Sequence, residues 1–335
     1  MLEEEIIIIG AGPCGLAAGI ALQEKGYNPL LIEKANIVHS IYNYPSHQTF
    51  FSSSEKLEIG DIPFSSIERK PKRHEALVYY RQVAKRRKLR IHSYEKVEKV
   101  NKSTDGFDVF TLSINGKEKA YHCNYIVAAT GYYDNPNIME IEGEGLPHVF
   151  HYFKEAHPFF QKKVTIIGGK NSAVDAALAL EQAGAEVTVL YRGKSFSDAV
   201  KPWILPDFYS LVRQQKVDMV YEADVKKITT HSVYYKKEGK EHQVESEFVF
   251  AMTGYHPDHS FLHSMGVKTD ADSGRPVFNE DTMESNVQGL YIAGVLAAGN
   301  DANEIFIENG RFHGEYIANS IEKQNKNQIN RNVNM

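Results

Sequence analysis

Apolar residues follow two alternating patterns along this chain. Ile6-Ile7-Ile8-Ile9 is an unbroken apolar run, so Glu5 to Ile9 reads as a short strand buried on both faces. Leu16 to Lys25 reads as a helix stopped by Gly26, and Pro29 to Glu33 as a second strand. Asn36 to Ser66 has no clear period and is aromatic and polar, a length that marks a functional loop. His74 to Lys88 is helical, with Ala76, Leu77, Tyr80, Val83 and Ala84 on its apolar side. Its Lys85-Arg86-Arg87-Lys88 end reads either as an anion site or, preferably, as a solvated face complementing the helix dipole. Val97 to Tyr121 alternates like an antiparallel meander, with turns at Thr104-Asp105-Gly106 and Asn115-Gly116-Lys117. Asn124 to Gly131 is another buried strand, closing on Ala129-Thr130-Gly131.

The same order then returns. Strand Val164–Ile167, helix Asn171–Ala183 and strand Val187–Arg192 are followed by a meander over Val217–Gln243 and a strand over Glu247–Gly254. A last strand, Leu290–Gly294, precedes a helix predicted over Asn303–Lys323. Gln324 to Met335 is rich in Asn and Gln without an apolar face, so it is expected to be disordered. The fold class is α/β: two Rossmann-like dinucleotide-binding domains, the second inserted in the first.

Length and charge narrow the classes of function. At 335 residues the chain holds two full cores, and a net charge of -5 gives no general attraction for nucleic acid or anionic membrane. Two cysteines, Cys14 and Cys123, make neither a disulfide framework nor a metal site, and none is expected. The acidic start Leu2-Glu3-Glu4-Glu5 and the lack of any apolar run near the ~20 residues of a membrane span point to the cytoplasm.

Two glycine-rich turns carry the chemistry. In Gly10-Ala11-Gly12-Pro13-Cys14-Gly15 the first glycine permits the turn, the second admits a pyrophosphate and the third lets helix pack on strand. The helix N-terminus offers N–H groups to the phosphates. Glu33 ends the next strand, where an acid accepts from ribose hydroxyls and repels a 2′-phosphate; Lys34 beside it is counted with the cofactor residues. This site reads as resident FAD. The second turn is Gly168-Gly169-Lys170-Asn171-Ser172-Ala173, in which Lys170 replaces a glycine and either crowds the pyrophosphate or, the preferred reading, pairs with it. Arg192 ends the following strand, with Lys194 nearby and no acid, the arrangement that receives the 2′-phosphate of an exchanging NADPH. Domains follow from this: 1–133 and 251–323 for FAD, 134–250 for NADPH, and a tail over 324–335.

The whole arrangement resembles the two-dinucleotide flavoproteins of the low-molecular-weight thioredoxin-reductase-like branch. Ala129-Thr130-Gly131, Met252-Thr253-Gly254 and Leu290-Tyr291-Ile292-Ala293-Gly294 match its segments. The resemblance implies that Thr130, Gly131 and Gly294 line FAD. Val295 stands where that branch has an acid, so Asp301 or Asn300 is expected to replace it, and the helix start at Asn303-Glu304-Ile305-Phe306 is expected to aim N–H groups at the flavin. The loop from Ser40 to Leu57, with the two glycine turns and Glu304 to Arg311, looks like the YpdA family of bacillithiol-disulfide reductases. That resemblance implies NADPH-dependent reduction of a small-molecule disulfide by hydride transfer to FAD, in a homo-oligomer. It also points to Cys14 as catalytic, beside the alternative that Cys14 only packs under FAD. Cys123 reads as core. Tyr42, Tyr44, His47, Phe50 and Phe51 either wall the flavin or pack as an ordinary loop.

Three other functions fit the same scaffold. A ferredoxin- or flavodoxin-NADP reductase also lacks redox cysteines. A flavin monooxygenase would carry an Asn where this chain has Ser52-Ser53-Ser54-Glu55-Lys56. A non-enzymatic NADPH or redox sensor would turn its flavin over slowly.

Overall fold

A computed structural model describes residues 1–196, 200–301 and 303–333. The chain divides into two compact units: one of Met1–Tyr42, Gln48–Asn135 and Tyr255–Met335, the other of Asn43–His47 and Pro136–Gly254.

The first unit opens with β1 (Leu2–Ile9), α1 (Pro13–Glu24) and β2 (Leu30–Glu33). β1 and β2 pair in parallel with Ile7 opposite Leu30, and Ile6 to Ile9 are buried because both sheet faces are covered. A short α2 (His39–Asn43) precedes α3 (Arg73–Arg86), β3 (Arg90–Ser93), β4 (Glu95–Lys102), β5 (Phe107–Ser113) and β6 (Glu118–Ala128). The strand order is β3-β2-β1-β6-β5-β4. β6 is a single strand, where the alternation had suggested the end of a meander and then a separate buried strand. Its outer half pairs antiparallel with β5, while Tyr121 to Ala128 pair in parallel with β1. One strand of the sheet thus joins its parallel and antiparallel parts, and its burial changes from alternating to continuous at that point.

The second unit contains β7 (Val149–Phe150), β8 (Lys163–Ile167), α4 (Asn171–Gln182), β9 (Glu186–Tyr191), α5 (Leu205–Arg213) and β10 (Val217–Tyr221). After these come β11 (Asp224–Ile228), β12 (Ser232–Lys237), β13 (Lys240–Glu245) and β14 (Phe248–Ala251). The parallel sheet has the order β10-β9-β8-β14-β7, and β11-β12-β13 form a separate antiparallel sheet. Val217–Tyr221 therefore belongs to the parallel sheet and not to the expected meander. The crossover helix α5, hidden from sequence reading by Trp203 and Pro206 at its start, carries the chain across so that β10 lies parallel to β9. Phe153 and Phe159 pack edge-on against Phe250, and Phe150 lies tilted beside it, in this unit's core with the buried alanines of α4.

The chain returns to the first unit with α6 (His259–Ser264), β15 (Leu290–Ile292), α7 (Ile307–Gly310) and α8 (His313–Val333). β15 pairs with the inner end of β6, on the edge that β5 leaves. Two expectations fail here. The helix predicted from Asn303 begins at Ile307, because Asn309 Oδ1 accepts from the Phe306 N–H at 2.7 Å and caps the turn there; it also breaks before His313. The tail is helical to Val333 rather than disordered. Asn325 accepts from the Tyr125 hydroxyl at 2.6 Å and donates to that of Tyr27 at 3.1 Å, while Gln324 donates to Glu284. Polar side chains dock this helix end in place of an apolar face. Residues 334 and 335 lie outside the described residues.

Candidate cofactor sites

β1 and α1 meet at the first cradle. Gly10 has φ +105, and a Cβ there would stand 2.5 Å from the Ala129 carbonyl oxygen. A Cβ on Gly15 would stand 2.1 Å from the Gly10 carbonyl oxygen. Both glycines are demanded by the protein's own packing. Gly12 is different: it has φ -70, and a Cβ there would meet nothing within 4 Å. Gly131 is equally open, in the turn after β6 that carries Thr130. Pro13 opens α1, and no side chain caps it. The first turn thus offers N–H groups toward open space, which suits a pyrophosphate.

Glu33, 7% exposed, buckles this region together. It accepts from the Ala11 N–H and the Ala35 N–H, both at 2.9 Å, one on each carboxylate oxygen. Each oxygen keeps a lone pair for a ribose hydroxyl. Lys34 pairs with Asp134 at 2.8 Å.

Cys14 faces the returning C-terminal segment. Its Sγ lies 3.0 Å from where a Cβ would stand on either Gly294 or Gly310. Burial pushes the Cys14 thiol up to about 12, so the resting side chain is a protonated thiol. Gly294 donates its N–H to His313 Nδ1 at 3.1 Å, which sets the imidazole with its proton on Nε2. Burial lowers His313 to about 4 and keeps it neutral. Gly314 brings α8 onto α1, since a Cβ there would lie 2.6 Å from the Ala18 Cα. Cys123 is buried in β6, and its thiol is also raised to about 12 by burial.

The loop expected to replace the missing acid is occupied with its own contacts. Asn300 Oδ1 lies 3.0 Å from His259 Nε2, and Asp301 Oδ1 accepts from the Asn303 N–H at 2.9 Å. Glu304 pairs with Arg275, and Ile305 packs against Gly310. Sequence reading missed two residues of α7 and its flank. Glu308 accepts from the Ser52 hydroxyl at 2.8 Å, and Arg311 donates to the Glu55 carbonyl at 3.0 Å. They seat Ser54–Leu57 on α7. The aromatic loop does not form one wall: Phe50 is buried in the first unit, whereas His47 packs edge-on against Phe153 in the second, centroids 6.0 Å apart.

In the second unit the cradle joins β8 to α4. A Cβ on Gly168 would stand 2.5 Å from the Met252 carbonyl oxygen. One on Gly169 would enter the Tyr191 ring, 2.4 Å from its carbons. That ring, unnoticed in the sequence, also backs Gly193. Lys170 is the extended N-cap of α4 with an exposed side chain. Asn171 Oδ1 accepts from the Lys201 N–H at 2.8 Å, Ser172 is exposed and Ala173 is buried. Arg192 follows β9 directly and Lys194 is exposed. Inside α4, burial raises Asp175 to about 6. Among the described residues no cluster of His, Cys, Asp or Glu could hold a metal, and no helix is long and apolar enough to cross a membrane.

An acid-flanked glycine cradle and a second, arginine-flanked one on Rossmann-type units define a flavin-dependent oxidoreductase fed by a nicotinamide dinucleotide. The chain belongs to the pyridine nucleotide-disulphide oxidoreductase family, whose model matches residues 7–294, and with that family it is an enzyme using FAD and NAD(P)H. It is 56% identical over 325 residues to the bacilliredoxin reductase Bdr of Bacillus subtilis, covering 97% of this chain and 99% of that one. Its fold matches the bacillithiol disulfide reductase Bdr (YpdA) of Bacillus cereus with a TM-score of 0.95 and 58% identity, over 96% of this chain and 99% of the other. The corresponding Staphylococcus aureus structure matches with a TM-score of 0.93 and 53% identity, over 97% and 99%.

Proposed function

We propose that this chain is an NADPH-dependent, FAD-containing reductase of bacillithiol disulfide that maintains low-molecular-weight thiols in the cytoplasm. The observation that carries the reading is the open face at Gly12: the fold does not need a glycine there, but a pyrophosphate does. Gly10, Gly12, Gly15, Glu33, Thr130, Gly131 and Gly294 would hold FAD, and Gly168, Gly169, Lys170, Ser172, Arg192 and Lys194 would hold NADPH. FAD, when bound, supplies the two-electron chemistry. The protein contributes binding, orientation and charge: N–H groups of α1 toward phosphates, Glu33 toward a ribose, and Arg192 toward a 2′-phosphate.

Cys14 holds its proton at neutral pH and is packed between Gly294 and Gly310. A thiol so placed packs against the C-terminal segment; to exchange with a disulfide it must first lose that proton. A homo-oligomer without nucleic-acid partners completes the proposal, and light scattering on the purified protein checks its assembly.

Anaerobic mixing tests the core of this reading. NADPH should bleach the flavin, and bacillithiol disulfide, free or on a bacilliredoxin, should restore its colour within turnover time. A flavin that stays oxidised with NADPH defeats the proposal. Restoration by ferredoxin but not by the disulfide would move the chain to the ferredoxin reductases.

A further inference from the structure

Lys34 and Asp134 join two loops on opposite sides of β1. Lys34 leaves the sheet directly after β2, and Asp134 lies in the segment after β6, beyond Thr130-Gly131. These strands are not neighbours, because β1 lies between them. The pair, Nζ to Oδ2 at 2.8 Å, therefore spans the strand whose C-terminal end opens into Gly10–Gly15. Strands in a sheet lie ~4.8 Å apart, so the gap is about 10 Å, within reach of an extended lysine and a turn.

Both anchors are held by contacts of their own. Ala35, next to Lys34, donates its N–H to Glu33 and accepts from the Tyr94 N–H at 2.7 Å. Asp134 lies in a turn closed by the Asn135 N–H donating to the Tyr132 carbonyl at 3.1 Å, and the Tyr133 ring packs on Tyr255 with centroids 4.6 Å apart. The Lys34 side chain is 47% exposed. The Asp134 side chain is 26% exposed, and an ion pair partly open to solvent adds only modestly to folding. Its position does suggest a role. The acid ending β2 marks the ribose end of a dinucleotide, and Lys34 is the next residue outward.

We propose that Lys34 and Asp134 form a clasp over the adenosine half of the dinucleotide held at Gly10–Gly15, and that its opening controls cofactor release. The proposal rests on the reading of that cradle as the FAD site. Asp134 and Lys34 act as positioning residues, closing the mouth rather than taking part in the chemistry.

FAD release from diluted holoprotein, followed by the rise in flavin fluorescence, tests it. Lys34→Met and Asp134→Asn should each release FAD about three- to ten-fold faster. The double variant should be no faster than either single one, because both remove the same link. High salt should speed release from the parent protein and leave the variants unchanged. Unchanged release in both single variants overturns the clasp, as do additive effects. A change in Lys34→Met alone also overturns it, since Lys34 would then touch the cofactor directly. Unchanged release from a yellow, NADPH-reducible holoprotein defeats the clasp and spares the functional reading; a protein that takes up no flavin defeats both.

Discussion

Gly12 and Gly15 sit three residues apart in one motif, yet the structure gives them different work. A methyl on Gly15 would collide with the Gly10 carbonyl, whereas one on Gly12 would occupy open space. Gly15→Ala should therefore destabilise the apoprotein by about 3 kcal/mol. Gly12→Ala should leave apoprotein stability within about 0.5 kcal/mol but weaken FAD binding at least about ten-fold. Urea melts and flavin titrations of the two variants check this, and equal melts would refute the distinction. Asp175 gives a second test. Its carboxyl binds a proton more tightly in the fold than at the ordinary value of 3.8, so stability is lost as pH rises from about 4 to about 6. Asp175→Asn should stabilise the protein at pH 7.5 by on the order of 2 kcal/mol and change nothing at pH 3.5. Thermal melts at the two pH values decide it. These differences were not legible in the sequence, since a motif records which residue is present and not what its side chain would meet.

At the scale of elements, the strand–turn–helix units around Gly10 and Gly168 could be read directly because their signals are local: an apolar run, glycines, then alanines. Arg192 belongs with them, as the residue directly after β9. Arg192→Ala should raise the KM for NADPH about ten- to thirty-fold while leaving that for NADH nearly unchanged, as loss of a charge-assisted phosphate contact requires. Steady-state kinetics with both nucleotides measure it, and equal losses would remove the 2′-phosphate role. The C-terminal helices were read poorly. Asn309 caps the start of one helix at Phe306, and Asn325 docks the next through two tyrosines distant in sequence. Asn325→Ala should cost about 1–2 kcal/mol, measured by chemical denaturation, since it leaves the part-buried Tyr125 hydroxyl unpaired. No change in the midpoint would show the tail to be undocked.

Across the whole molecule, the pattern of two dinucleotide cradles in a chain with two unpaired cysteines separates two chemical steps. Cys14→Ala should retain NADPH-driven reduction of the flavin at near the parental rate, because orientation of two nucleotides needs no thiol. Stopped-flow bleaching at the flavin band tests this directly. Disulfide turnover in the same variant then assigns Cys14: lost turnover makes it the exchanging thiol, and retained turnover leaves it as packing.

Periodicity and glycine spacing determined the α/β class and the two cradles, because those signals lie within a few residues of one another. The partners of Cys14, Tyr191, Asp134 and Asn325 were decided only by the tertiary structure. Cys14, Asp134 and Asn325 meet residues brought from far along the chain, and the Tyr191 ring also reaches back to Gly169; no local pattern carries that information.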